Sequence, residues 1–100
     1  MEYICNRLMA VGSTSLVKKF ARSNWDKVLG AKHSELAECS PGRYTSNFNS
    51  EEAPIVEPLR KLSLRWAKLI FLLDWEWEDK RFKGFLKAQA GVLESYWMEY

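Results

Sequence analysis

The chain is poor in the residues that most often carry enzyme chemistry, with one histidine and two cysteines among 100 residues. His33 stands in polar sequence, and we interpret it as a surface or strand-end residue rather than a catalytic base. Cys5 and Cys39 are too few for a secreted disulfide framework, and they lack zinc-ligand spacing with the distant histidine. We expect two free, buried thiols, no metal and no enzymatic activity.

Signatures of nucleotide binding and of membrane insertion are also missing. Gly12 is a lone glycine before a predicted helix, far short of a phosphate-binding loop, so no cofactor is predicted. The most apolar run, Leu69 to Leu73, stops at Asp74, well short of the length that crosses a bilayer. No charged and apolar leader precedes the first predicted strand. We expect a soluble, cytoplasmic protein without a membrane partner.

Strong charge of one sign is absent as well. The net charge is +2, whereas nucleic-acid modules usually have a pI above about 9 and a concentrated basic stripe. Aromatic residues are abundant, with five Trp, five Phe and four Tyr. One hundred residues form one domain, 1–100, and its core needs fewer rings than this. We therefore expect some of the rings at a binding surface.

The clearest local pattern is the alternation of residues 68–77. This alternation predicts a strand with one aromatic face, followed by a charged turn and a second strand. The aromatic face comprises Phe71, Leu73, Trp75 and Trp77, and the other face comprises Ile70, Leu72, Asp74 and Glu76. Further strands are predicted over 2–11, where both faces are apolar and a central position is expected, and over 33–38, 43–49, 82–90 and 92–100. Helices are predicted from Ser13 to Gly30 and after Pro54, with Pro58 in the first turn.

This order predicts an α+β fold. It corresponds to a ferredoxin-like antiparallel sheet with two helices on one face and an extra C-terminal strand or hairpin. The turn Ser40-Pro41-Gly42 predicts a hairpin between the two middle strands. Cys5 and Cys39 could approach each other if the first and second strands lie close together in the sheet.

Two sets of residues are predicted to contact a partner. The acidic segment comprises Asp74, Glu76, Glu78 and Asp79. Alternation places the first three on one strand face, where they could gather a cation or meet a basic protein surface; a solvated turn is the simpler interpretation. The aromatic edge comprises Trp75, Trp77, Tyr96, Trp97 and Tyr100. Aromatic residues are enriched at interface cores, and a terminal strand can pair with another strand, including that of a second copy. Completion of the core is the alternative role for Tyr96 and Trp97.

A third set of residues predicts an alternative partner, nucleic acid. It comprises Lys18, Lys19, Arg22, Lys80, Arg81 and Lys83. The stretch KRFKGFLK resembles the basic and aromatic strand with which RNA-recognition domains stack bases. That strand precedes the second helix in those domains, whereas here it follows the second helix and one further strand. The adjacent acids would also repel phosphate, so direct RNA binding is the weaker prediction.

Several short motifs resemble one protein family. The opening CNRLMAVG, the positions of Tyr44, Phe48 and Pro54, and the late Phe82-Lys83-Gly84 are similar to the YubB-type domain that also occurs in Api92-like proteins. The resemblance implies a ferredoxin-like fold and an origin in phages, plasmids or other bacterial mobile elements. That family has no established activity, so the resemblance implies no catalytic residue.

Together these observations predict a small, non-catalytic binding protein of a mobile element in the cytoplasm of a bacterial host. Its predicted partner is a host protein or ribonucleoprotein complex. In its most concrete form the prediction is an anti-CRISPR-like inhibitor of a host defence complex. A nucleic-acid-binding accessory protein is the alternative, and a homodimer through a sheet edge stays open.

Overall fold

A computed structural model describes residues 3–51 and 55–100. Within these residues the strands are β1 (Tyr3–Val11), β2 (Lys32–Ser40), β3 (Arg43–Glu51), β4 (Ile70–Trp77), β5 (Phe82–Gln89) and β6 (Val92–Glu99). The helices are α1 (Thr14–Ala21), α2 (Trp25–Val28) and α3 (Val56–Arg65), and a 3-10 turn covers Glu78–Lys80. None of these helices has both the length and the apolar character that a membrane span requires.

The six strands form one antiparallel sheet in the order β2-β3-β1-β4-β5-β6. β1 is a central strand, as predicted, although only one of its two sides is buried. The chain from β1 to β2 passes through α1 and α2, and the chain from β3 to β4 passes through α3. β5 and β6 then extend the sheet beyond β4 as a hairpin. The prediction of an α+β fold with an antiparallel sheet is confirmed.

All three helices pack against the same face of the sheet. The ring of Phe20, on α1, lies 5.9 Å from the ring of Tyr44 and 5.2 Å from that of Phe71. Trp25, on α2, lies 5.6 Å from Phe48. Tyr44 and Phe71 both lie opposite Ala10 of β1, and Phe48 is an even number of residues from Tyr44 along β3, so all three point to the same side of the sheet. The core is therefore a single layer between the helices and one sheet face.

The single helix predicted from Ser13 to Gly30 is wrong, because the structure divides it into α1 and α2. Ser13 caps α1 by accepting a hydrogen bond from the backbone N–H of Leu16. The hydroxyl of Ser23 donates to the carbonyl oxygen of Phe20 at 2.6 Å, just beyond the end of α1. Short polar side chains compete for backbone groups in this way and favour helix ends. The sheet consequently carries three helices, and not the two that were predicted.

The prediction that both cysteines are buried is also wrong. Cys5 and Cys39 are free and exposed. β3 lies between the strands that carry them, so β1 and β2 are not neighbours. Cys5 points to the face without helices, and Cys39 lies on an edge strand. The side chain of His33 and the predicted position of Pro54 fall outside what the structure describes.

Two predicted turns agree with the structure. Pro41 and Gly42 join β2 to β3, and Gly42 has a φ of +76°, which is the conformation that the second central residue of a type II turn requires. Pro58 is the third residue of α3, inside the first turn, where its missing N–H breaks no helical hydrogen bond.

Candidate binding surface on the open face of the sheet

The sheet face opposite the helices, which we call the open face, carries two rows of neighbouring side chains. Strand register sets both rows. The first row is Asn49, Cys5, Glu76, Lys83 and Met98. The second is Asn47, Arg7, Asp74, Phe85 and Tyr96. Each row runs from β3 to β6, because directly opposed residues of antiparallel strands point to the same face.

These rows line a concave groove of about 790 Å³, which Glu35 of β2 closes at one end. The volume lies within the range of roughly 300–1,000 Å³ that is usual for binding sites. The end formed by β5 and β6 is apolar, with Phe85, Tyr96 and Met98 all exposed. The end formed by β3 and β1 is polar, with Asn47, Asn49 and Arg7. One groove thus offers aromatic contact area beside hydrogen-bonding groups.

Charges in the groove are arranged as opposed pairs. Arg7 on β1 is opposite Asp74 on β4, and Glu76 on β4 is opposite Lys83 on β5. Opposite charges in cross-strand positions stabilise the register and leave little net field. The lining residues include three acids and two bases, so the groove is close to neutral and slightly acidic. This balance suits a mixed protein surface better than a polyanion.

Tyr100 follows β6 directly and contacts residues of β4 and β5 on the open face. Its hydroxyl donates a hydrogen bond to Oε2 of Glu76, which raises the pKa of Tyr100 to about 12. The backbone N–H of Tyr100 donates to the carbonyl oxygen of Arg81 at 2.8 Å, and Nε of Arg81 donates to the carbonyl oxygen of Tyr100 at 2.8 Å. Nζ of Lys83 lies 5.4 Å from the centroid of the Tyr100 ring. The ring is therefore held against the protein itself, although it is 41% exposed.

The five residues of the predicted aromatic edge do not form one surface. Trp75 is 7% exposed, faces the helices and covers Gly84, where an added Cβ would lie 2.6 Å from the indole ring. Trp75 is thus a core residue. Trp77 is half-buried on the same side, and Trp97 lies there too, packed edge-on against Phe82 at 5.3 Å. Only Tyr96 and Tyr100 belong to the open face.

The predicted acidic segment is divided in the same way. Asp74 and Glu76 lie in the groove. Glu78 and Asp79 lie in the exposed 3-10 turn, because β4 ends at Trp77 and the regular alternation stops there. The prediction that Glu78 shares a strand face with the other two is therefore wrong. Across residues 3–51 and 55–100, no group of three or more candidate ligand side chains is close enough to hold a metal ion.

The predicted basic residues fall on separate elements. Lys18, Lys19 and Arg22 are exposed on or just after α1, which packs over β3 on the helix side. Lys80 and Arg81 lie at the turn before β5, and Lys83 lies on the open face. Lys80 is 6.0 Å from the ring centroid of Trp77, and Arg81 is 5.7 Å from that of Tyr100. The six cations do not form the continuous basic stripe that phosphate tracking requires.

Sequence reasoning missed several residues of the groove, namely Cys5, Arg7, Asn47, Asn49 and Phe85. Alternation in β1, β3 and β5 does place each of them on the polar side of its strand. That signal alone does not join them, because they come from three different strands and meet only through the sheet order. Comparisons of the chain with family models, with curated proteins and with solved structures found no match.

Proposed function

We propose that this protein is a non-catalytic binding protein that recognises a protein partner with the open face of its sheet. The observation that carries the proposal is the groove of about 790 Å³ across the uncovered face, with exposed Phe85, Tyr96 and Met98 beside polar β1 and β3. Aromatic residues and methionine are enriched at the centre of protein interfaces, and a polar rim commonly surrounds them.

Charge supports a protein partner over a nucleic acid. Asp74 and Glu76 stand in the middle of the groove and would repel phosphates. β1 and β3, which are neighbours in the sheet, present Cys5, Arg7, Asn47 and Asn49 to the open face, and none of these is an aromatic ring on which a base could stack. A partner with both apolar and basic groups would complement the groove.

The narrower parts of the proposal are the fold family and the biological role. The strand order β2-β3-β1-β4, with helical crossovers on one face, supports a ferredoxin-like plan extended by the β5–β6 hairpin. The resemblance to the YubB-type and Api92-like domains supports an origin in a bacterial mobile element. An inhibitor of a host defence complex, comparable to anti-CRISPR proteins, is the concrete role that we propose.

The experiment compares two charge-neutralised variants with the wild type in affinity capture from bacterial lysate, with and without nuclease treatment, followed by mass spectrometry. The groove variant is Asp74→Asn with Glu76→Gln, and the turn variant is Glu78→Gln with Asp79→Asn. Each variant removes two negative charges from the same segment, so the turn variant controls for net charge. We expect the groove variant alone to lose the captured protein, because only its residues face the groove.

Two results would contradict the proposal. Equal losses in both variants would mean that charge in general, and not the groove, retains the partner. Capture that disappears with nuclease treatment would favour the alternative, a nucleic-acid-binding accessory protein. That alternative has one structural observation in its favour, the exposed Lys80 and Arg81 beside aromatic rings at the β4–β5 turn. It predicts binding that weakens steeply with added salt.

A further inference from the structure

The two edges of the sheet differ in how they are protected against pairing with another strand. β2 has two register irregularities with β3, and charged residues such as Lys32 and Glu38 lie along it. Bulges and charges of this kind are the usual protection of edge strands. β6 runs in unbroken register with β5 over eight residues and contains no Lys, Arg, Pro or Gly. β6 is therefore an unprotected edge.

Most of the exposed apolar surface lies on this strand and the residue after it. Of the seven large hydrophobic residues that are exposed in the described chain, five are Val92, Tyr96, Trp97, Met98 and Tyr100. They lie on both sides of the sheet, since Trp97 faces the helix side. Within residues 3–51 and 55–100, β5 is the only strand that pairs with β6. Such a concentration on a free edge indicates an interface.

The free hydrogen-bonding groups of this edge can be assigned. The turn Ala90-Gly91 has two residues, and Gln89 and Val92 flank it as opposed partners. A two-residue turn closes on a hydrogen-bonded pair, so the even-numbered residues of β6 bond to β5. The 2.8 Å bond from the N–H of Tyr100 to the carbonyl oxygen of Arg81 follows this alternation. Leu93, Ser95, Trp97 and Glu99 therefore direct their backbone groups toward the free edge.

We infer that β6 pairs with β6 of a second copy, antiparallel, about a twofold axis at Tyr96. A twofold axis perpendicular to the sheet pairs residues of equal parity, so the outward groups of Ser95 meet those of Trp97 in the other copy. This register pairs residues 93–99 of the two copies, a length of about 24 Å at roughly 3.4 Å per residue, and places Val92 opposite Tyr100. The two six-stranded sheets become one continuous sheet with the open faces on the same side.

Side-chain complementarity supports a second copy as the occupant. In this register Ser95 is opposite Trp97, so a small residue faces a large one twice on the helix side. Glu94 is opposite Met98 and Glu99 is opposite Leu93, so no two acids oppose each other, which would destabilise the pairing. Lys87 of β5 in the same copy lies opposite Glu94 and offsets its negative charge. The pairing does not depend on the proposed partner of the groove.

The first experiment measures the mass of the purified protein by sedimentation equilibrium over a series of concentrations. We expect a concentration-dependent rise to twice the monomer mass of 11.7 kDa. Ser95→Pro removes a backbone N–H that points to the free edge and that β5 does not use. Each dimer then loses two hydrogen-bond donors, one from each copy. We expect the dissociation constant of the dimer to rise at least about tenfold. Ser95→Ala keeps the N–H and is the matched control, with an expected dissociation constant like that of the wild type.

The second experiment tests the register without requiring the proline variant to fold. The variants are made in a Cys5→Ser, Cys39→Ser background, so that each chain has one thiol. Tyr96→Cys places the thiols of the two copies beside the twofold axis, as a non-hydrogen-bonded pair. The Cα atoms of such a pair are about 4.5 Å apart, which allows a disulfide to form. Glu94→Cys is the control, since its copies lie about 14 Å apart at roughly 3.4 Å per residue. We expect oxidation to link Y96C chains and not E94C chains.

Three results would overturn the dimer, its interface or its register. A mass that stays at 11.7 kDa up to the highest soluble concentration would overturn the dimer. A dimer that S95P leaves intact would overturn the β6 edge as the interface. Disulfide linkage of E94C chains in place of Y96C chains would overturn the register centred on Tyr96.

Discussion

Single residues of the open face are held by contacts between strands that are distant in sequence. Tyr100 is the best example, because its hydroxyl donates to Glu76 of β4 while its ring lies beside Lys83 of β5. The carboxylate favours the neutral phenol, which carries the proton of this hydrogen bond, and disfavours a second negative charge beside it. The pKa of Tyr100 is therefore raised from its usual 10.0 to about 12.

The change Glu76→Gln tests this contact. Without the carboxylate we expect the pKa of Tyr100 to fall toward 10.0, measured as phenolate absorbance during an alkaline titration. Because the folded-state pKa is raised, the contact stabilises the fold fully below about pH 10 and is lost as the pH rises through about 12. E76Q should therefore be less stable than the wild type below about pH 10, and the difference should disappear as the pH rises through about 12.

Tyr100→Phe is the control for the assignment, since four tyrosines contribute to the absorbance. The titration that differs between the wild type and E76Q should be missing from Y100F. A wild-type titration without a high-pH component that Y100F removes would contradict the contact. Burial also raises the pKa of Tyr44, so Y100F is needed to separate the two residues.

At the scale of elements, the β5–β6 hairpin depends on a strained turn. Ala90 has a φ of +50° and Gly91 a φ of +81°. Positive φ at both central residues is the type I′ turn, which matches the twist of the flanking strands and favours Asn-Gly. The N–H of Gly91 also donates to the hydroxyl of Ser63 at 2.9 Å, which ties the turn to α3. The hairpin that carries the unprotected edge is thus positioned by the last helix.

Two substitutions in this turn should have opposite effects on stability. Ala90→Asn should raise the free energy of unfolding by about 0.5–1 kcal/mol, because asparagine tolerates positive φ better than alanine. Gly91→Ala should lower it by about 1–3 kcal/mol, because a Cβ there would lie 2.5 Å from the Leu64 side chain at an unfavourable φ.

Urea unfolding followed by tryptophan fluorescence measures both changes. Equal stability of the wild type and A90N would mean that Ala90 does not hold a positive φ in solution. Comparison of A90N with G91A also separates turn strain from packing, because A90N leaves the contact between Gly91 and Leu64 unchanged.

At the scale of the whole molecule, the decisive feature is that helices cover one face of the sheet only. The strands β1, β3, β4 and β5 therefore each have one side that packs under the helices and one side that is available, whereas β6 is exposed along most of its length. Cys5 lies at the centre of the available side, within the groove, while Cys39 lies on the edge strand β2.

The two cysteines report on this arrangement. We expect both thiols to react with a thiol reagent in the folded protein, giving about two labels per chain without denaturant. Once the captured partner is added, Cys5 should be protected because it lies in the groove, and Cys39 should stay reactive. Cys39→Ser and Cys5→Ser assign each label. Protection of Cys39 in place of Cys5 would place the partner on the opposite edge of the sheet.

Most of the helices and strands follow from local patterns in the amino-acid sequence. Alternation in residues 68–77, the Pro41-Gly42 turn and the position of Pro58 predicted β4, the β2–β3 hairpin and the start of α3, because each depends on neighbours in the chain. It also predicted the central place of β1. It did not predict the break between α1 and α2, where the Ser23 side chain competes for a backbone carbonyl.

Only the tertiary structure decided which side chains meet. Trp75 and Tyr96 both looked like surface aromatics, yet the helices bury Trp75 and leave Tyr96 exposed. Asp74 and Glu78 looked like one acidic row, yet β4 ends between them. The physical reason is that alternation separates two sides of a strand but does not say which side is covered. That choice depends on the crossovers of α1 and α3, which bring distant segments onto one face.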